Sequence, residues 1–113
     1  MRILEFTVRK QRLLKKPSCD FTGLVAGSKG YLHAKFEFPY DDWNNYEFKI
    51  ASFWIGDKES AVQLDDNNTC NIPHEILTGA EFRVYLIGAN RSSKIETNEV
   101  RVQQEVKTNG KIN

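Results

Sequence analysis

Few side chains in this 113-residue chain combine into a chemical constellation. The two histidines, His33 and His74, stand in unrelated contexts, and Cys19 and Cys70 show no zinc-ligand spacing with them. No serine is framed by glycines as a nucleophile elbow, and no glycine-rich loop is built to cradle a phosphate. Asp41 and Asp42 are chain neighbours, as are Asp65 and Asp66. Neighbours on a strand point to opposite faces, so neither pair sets two carboxylates across a glycosidic bond. The run Asp65-Asp66-Asn67-Asn68 offers oxygens to a calcium ion, but it lacks the glycine and the distal glutamate of an EF-hand loop. These residues predict no catalytic group, no metal and no cofactor, and hence a protein that is not an enzyme.

Two stretches carry binding chemistry instead. Tyr40-Asp41-Asp42-Trp43-Asn44-Asn45-Tyr46 follows a proline and holds three aromatic rings and two carboxylates. As a glycan platform, Tyr40, Trp43 and Tyr46 would stack on sugar faces while Asp41 and Asp42 take the hydroxyls. As architecture, the same stretch is a bent corner whose Trp43 plugs an open end of the fold. Tryptophan is rarely left exposed, which favours the plug. The second stretch, Arg9 to Lys16, has five basic residues in eight. It reads either as a patch for a phosphate or protein partner or as a solvated edge strand, where lysines discourage edge pairing.

Composition narrows the classes. Sixteen basic and fifteen acidic residues leave a net charge of +1, without the basic excess of a nucleic-acid binder. No apolar run has the length to span a membrane. Met1-Arg2-Ile3-Leu4 is followed by Glu5, then Arg9 and Lys10, so no signal-peptide apolar region is expected and synthesis is placed in a cytoplasm. Two cysteines make no disulfide framework and are expected to be reduced, partly buried thiols.

The elements that position these residues read as strands. Leu4, Phe6 and Val8 alternate with Glu5, Thr7 and Arg9. Phe21–Ala26 is predicted as a short apolar strand before the turn Gly27-Ser28-Lys29-Gly30. From Tyr31 to Phe38, Leu32, Ala34, Phe36 and Phe38 share the inward face. Tyr46 to Trp54 alternates with apolar residues on both faces, as a central or outwardly covered strand would. Ser60, Val62 and Leu64 share a face after the turn at Gly56. Phe82, Val84 and Leu86 point in, and Tyr85 and Ile87 point out toward a covered surface. Ile95–Val106 is predicted as the last strand. About seven to eight short strands with one short helix predict an all-β fold, an antiparallel β-sandwich or flattened barrel. Met1–Val106 form one domain, and Lys107–Asn113 read as a flexible C-terminal tail.

The chain is organised around Gln63–Leu77. Asp65 to Asn68 are turn residues whose side chains bond their own backbone. Thr69 to Ile72 is a short strand, Pro73 opens a helical turn, and Gly79 ends it. Leu64, Ile72, Pro73 and Leu77 are assigned structural roles at this corner.

Several of these pieces, taken in order, resemble a family found in tailed bacteriophages of Gram-positive bacteria, the N-terminal domain of baseplate upper proteins and related tail modules. The residues that carry the resemblance begin with Val25-Ala26-Gly27-Ser28-Lys29-Gly30-Tyr31-Leu32. Phe36-Glu37-Phe38 with Asp42-Trp43, and Ala51-Ser52-Phe53, come next. The most specific run is Leu64-Asp65-Asp66-Asn67-Asn68-Thr69-Cys70-Asn71-Ile72-Pro73-His74-Glu75-Ile76-Leu77, and Thr97-Asn98-Glu99-Val100 completes the pattern. The chain is also similar in character to the shoulder domains of phage receptor-binding proteins. His74 departs from the tryptophan that often follows this proline. Larger members continue into a host-contacting region that is not matched here, so host recognition does not carry over.

The resemblance implies a β-sandwich that serves the host adsorption apparatus of a virion tail, with other tail or baseplate proteins or a second copy as partners. Phe53, Tyr85 and Ile87, together with Arg9, Lys10 and Arg12, are the expected partner interface. The alternative expectation is a carbohydrate-binding module that reads cell-wall glycans through Tyr40, Trp43, Tyr46, Asp41 and Asp42. Neither reading involves nucleic acid or a membrane.

Overall fold

A computed structural model describes residues 1–107. The predicted tail, apart from Lys107, lies outside the described residues. The described chain is an all-β sandwich of two sheets. Its strands are β1 (Arg2–Arg9), β2 (Arg12–Lys15), β3 (Leu32–Glu37), β4 (Phe48–Ile55), β5 (Lys58–Gln63), β6 (Thr69–Asn71), β7 (Glu81–Ala89), β8 (Lys94–Glu96) and β9 (Val100–Gln103). Single 3-10 turns lie at Asp41–Trp43 and His74–Ile76. The first sheet runs β2-β1-β3-β6, and the second runs β5-β4-β7-β8, with β9 also on β7.

The alternation of apolar residues builds the core. Leu4, Phe6 and Val8 of β1 and Leu32, Ala34 and Phe36 of β3 are buried from one sheet. Ala51 and Phe53 of β4 and Phe82, Val84 and Leu86 of β7 meet them from the other. Phe6 and Phe36 stack with ring centroids 5.1 Å apart, as their direct cross-strand register requires.

Three features depart from the sequence reading. First, β1 and β3 run parallel, the one such pair among the named strands. Parallel neighbours need a crossover of roughly a dozen residues or more, and the Lys16–Tyr31 segment supplies it. Second, Phe21–Ala26 is not a strand but part of this crossover. Gly23 and Gly27, at φ of 71° and 101°, break its extension. The crossover still seals the fold, because Ala26 N–H donates to Glu105 O, Glu105 N–H to Leu24 O and Gly27 N–H to Leu77 O, each at 2.8 Å. Third, the predicted last strand is broken into β8 and β9. At the break the Thr97 hydroxyl accepts from Leu86 N–H at 3.0 Å, and Asn98 turns away from β7.

Asn98 turns to the other sheet. Its Oδ1 accepts from Leu13 N–H at 2.8 Å, and its Nδ2 donates to Leu13 O at 3.1 Å. Its own N–H donates to Gln11 O at 3.2 Å, and Gln11 Nε2 donates to Glu96 O at 3.1 Å. The free edge of β2 is thereby tied to the break between β8 and β9.

Trp43 closes one end. It is 1% exposed, and its Nε1 donates to Lys10 O at 2.7 Å on the β1–β2 turn. Gly88 lies against its ring, where an added Cβ would stand 2.8 Å from both the indole and Ile95. The demand for glycine here is one of space, not of backbone conformation.

At the Gln63–Leu77 corner, Asn68 takes a φ of 60°, and Pro73 at φ −59° leads into the 3-10 turn. Ile72, Ile76 and Leu77 are buried beneath it. The Asn98→Ala variant leaves both main-chain groups of Leu13 unpaired and is expected to cost about 1–3 kcal/mol in urea-induced unfolding. Asn98→Asp keeps the acceptor but loses the donor and should fall between wild type and alanine. Equal stability of all three would show that the clasp contributes nothing. Gly88→Ala should lower the melting temperature by forcing Trp43 or Ile95 out of place, as the midpoint of a thermal scan would show.

Candidate functional site on the outer face of the five-stranded sheet

β4 and β7 are the central strands of the second sheet, and both carry apolar side chains on the face turned away from the core. Phe48, Ile50, Ser52 and Trp54 come from β4; Arg83, Tyr85 and Ile87 come from β7. Their register pairs Ile50 with Ile87, Ser52 with Tyr85 and Trp54 with Arg83. β5 adds Glu59, Ala61 and Gln63 opposite Trp54, Ser52 and Ile50. Phe48 is 42% exposed, and Ile50, Trp54, Tyr85 and Ile87 are half-buried by one another. The inner face of this sheet packs on the first sheet; among the described residues no third layer lies over the outer one.

The face is held in one arrangement. Ser52 points outward yet is fully buried under its neighbours. Its hydroxyl donates to Glu59 Oε2 at 2.5 Å and accepts from Trp54 Nε1 at 2.8 Å. The Arg83 guanidinium lies 5.8 Å from the centre of the Trp54 ring, within cation-π range. Arg83 also pairs with Glu99 at 3.4 Å and donates to Gly56 O. Trp54 is therefore fixed at its N–H and at its ring before any partner arrives, which lowers the ordering cost of docking. Aromatic rings with an arginine, on a rigid sheet, have the chemistry of a protein-contact surface.

Of the expected interface residues, Tyr85 and Ile87 lie on this face. Phe53 does not. It is fully buried on the inner face, opposite Val84 and with its ring centroid 6.4 Å from that of Phe82, so it is unavailable to a partner. Arg9, Lys10 and Arg12 are exposed on the turn joining β1 to β2, apart from the aromatic face. Lys16, from the same basic run, is engaged internally by Glu37 at 2.7 Å and Glu5 at 3.5 Å.

The glycan platform loses its central ring. Trp43 is covered by Phe38 at 5.3 Å, Tyr46 at 6.1 Å and Gly88, so no face of its indole is free for a sugar. Tyr40, Asp41 and Asp42 are exposed and Tyr46 is half-buried around that plug. Leu64, Ile72 and Leu77 are buried at the corner, and Pro73 is half-buried there.

Trp54, Ile50, Phe48 and Arg83 were absent from the expected interface. The signal for the first three was the alternation Phe48, Ile50, Ser52, Trp54 on a strand that is apolar on both faces.

The carboxylate of Asp65 is committed to its own turn. Oδ1 accepts from Asn67 N–H and Thr69 N–H, both at 2.9 Å, and Oδ2 accepts from the Thr69 hydroxyl at 2.6 Å. The Thr69 hydroxyl and N–H, with a smaller contribution from Asn67, hold its pKa below the ordinary 3.8. Among the described residues no three His, Cys, Asp or Glu side chains gather as a metal-holding group. Cys19 and Cys70 are both free thiols, outside any disulfide, and burial, aided by the Asp65 charge, pushes Cys70 up to about 12.

No family model matches the chain, and neither a curated protein nor a solved structure matches it.

Because the folded pKa of Asp65 is depressed, its contribution to stability is complete above the ordinary carboxylate range and is lost as pH falls through the folded value. Asp65→Asn should therefore be less stable than wild type at neutral pH, and the gap should close in acid below 3.8. Urea unfolding at several pH values checks this; a gap independent of pH would remove the carboxylate from the account.

Proposed function

We propose that this chain is a non-enzymatic structural component of a bacteriophage tail or baseplate, part of the host adsorption apparatus, acting through protein–protein contacts. The observation that carries the reading is the aromatic outer face of Trp54, Tyr85, Ile50, Ile87 and Phe48, held rigid by Ser52, Glu59 and Arg83. Monomeric domains seldom leave such a patch unused. The β-sandwich itself is what the resemblance to baseplate modules leads one to expect. The partners are other tail or baseplate proteins, and the site of action is the virion. The glycan reading is set aside because its central ring, Trp43, is buried.

Mass spectrometry of purified tails should find the protein as a stoichiometric part; tails that lack it would sink the proposal. Trp54→Ala and Ile87→Glu should weaken retention on isolated tails by about 2 kcal/mol or more, a roughly thirtyfold loss, if the face is the contact. Circular dichroism melts check that both variants remain folded.

A further inference from the structure

A sandwich of two open sheets has four edges, and here three of them are blunted. β2 gives both main-chain groups of Leu13 to Asn98. The β8–β9 edge is broken at Asn98 and crossed by Gln11. β6 spans only Thr69–Asn71. β5 is different: Lys58–Gln63 is a regular strand of six residues with no proline or glycine, and its charges are confined to Lys58 and Glu59. From Ser60 to Gln63, β5 has none of the breaks, prolines or charges that ordinarily protect an edge strand.

The hairpin register tells which groups are free. The two-residue turn Gly56-Asp57 is closed by the Ile55–Lys58 pair, so Lys58, Ser60 and Val62 bond inward to β4. Glu59, Ala61 and Gln63 turn their N–H and C=O groups outward. Among the described residues no hydrogen bond outside the β4 ladder reaches those groups.

We propose that β5 is the contact between two copies of this chain, paired antiparallel about a two-fold axis at Ala61. The occupant is a second copy because the strand is complementary to itself in this register. Ala61 meets Ala61, so the axis brings neither charge nor bulk face to face. Glu59 lies opposite the partner's Gln63, whose amide donates to the carboxylate oxygen that Ser52 leaves free. Ser60 lies opposite the partner's Val62. No like charges face each other, and a second copy supplies about six main-chain hydrogen bonds. The axis is perpendicular to the sheet, so the two five-stranded sheets become one and both Trp54 faces lie on the same side. A contact of one strand is small, which places the dimer in the weak, reversible class. The inference stands on the edge alone and does not require the tail role.

Sedimentation velocity on the full chain, from low micromolar to near-millimolar concentration, tests it. Wild type should pass from the mass of a monomer toward that of a dimer. Over the same range, hydrogen exchange at the Glu59, Ala61 and Gln63 amides should slow at least tenfold. Ala61→Pro removes a donor that the monomer fold does not use and should stay monomeric with the native melting profile. Ala61→Lys sets like charges at the axis and should also stay monomeric, whereas an equimolar mixture with Ala61→Glu should dimerise again. A wild type that remains monomeric throughout, assembly beyond the dimer, or Ala61→Lys alone dimerising like wild type would each overturn the proposal.

Discussion

The carboxamide of Asn98 stands in for a strand. A sheet edge exposes main-chain donors and acceptors that must find partners, and β2 is an edge strand lying over the core. One planar amide meets both demands of Leu13, donating to its carbonyl and accepting from its N–H. This requires Asn98 to leave the β7 ladder, and that departure is what divides β8 from β9. Thr97 covers the gap by lending its hydroxyl to Leu86 N–H. The clasp, the break in the last strand and the position of the β1–β2 hairpin are thus one arrangement. Trp43 reinforces it from the end of the sandwich by donating to Lys10 on the same hairpin.

Alternation made most of the core legible. Leu4, Phe6, Val8, Leu32, Ala34, Phe36, Phe82, Val84, Leu86 and Val102 are buried where the period of two places them. The parallel pairing of β1 with β3 was not legible, because period says which way side chains point and not which way a neighbour runs. Phe21–Ala26 misled for a related reason. Its apolar residues serve a crossover that seals an edge, and burial of Leu24 needs no ladder.

The site was half legible. Tyr85 and Ile87 stood out because their strand alternates cleanly and their partners on the other face are plainly core. β4 offered no such contrast, since Ile50 and Trp54 compete with Ala51 and Phe53 for the inward role. Local pattern cannot break that tie; the register with β7 does, by setting Phe53 beside Val84 and Trp54 beside Arg83. Trp43 and Trp54 illustrate the same point from opposite sides. The first lies in a polar loop and is buried, and the second lies in an apolar strand and faces outward. Each indole N–H finds an acceptor, that of Trp43 in the main chain of the β1–β2 turn and that of Trp54 in a serine on its own strand.

The side chains of the corner from Leu64 to Leu77 are spent on the fold. Asp65 is saturated by its own turn, Ile72, Ile76 and Leu77 are in the core, and the Cys70 thiol is suppressed by burial. Such residues are constrained by many contacts at once, so their identity advertises architecture. The outer face of the second sheet is constrained differently. Ser52 and Glu59 hold Trp54 in place, while Ile50, Ile87 and Phe48 contribute apolar area to that face. The buried corner and the outer face of the second sheet are therefore fixed by different demands, and the turn chemistry and alternation that mark the first say little about the second.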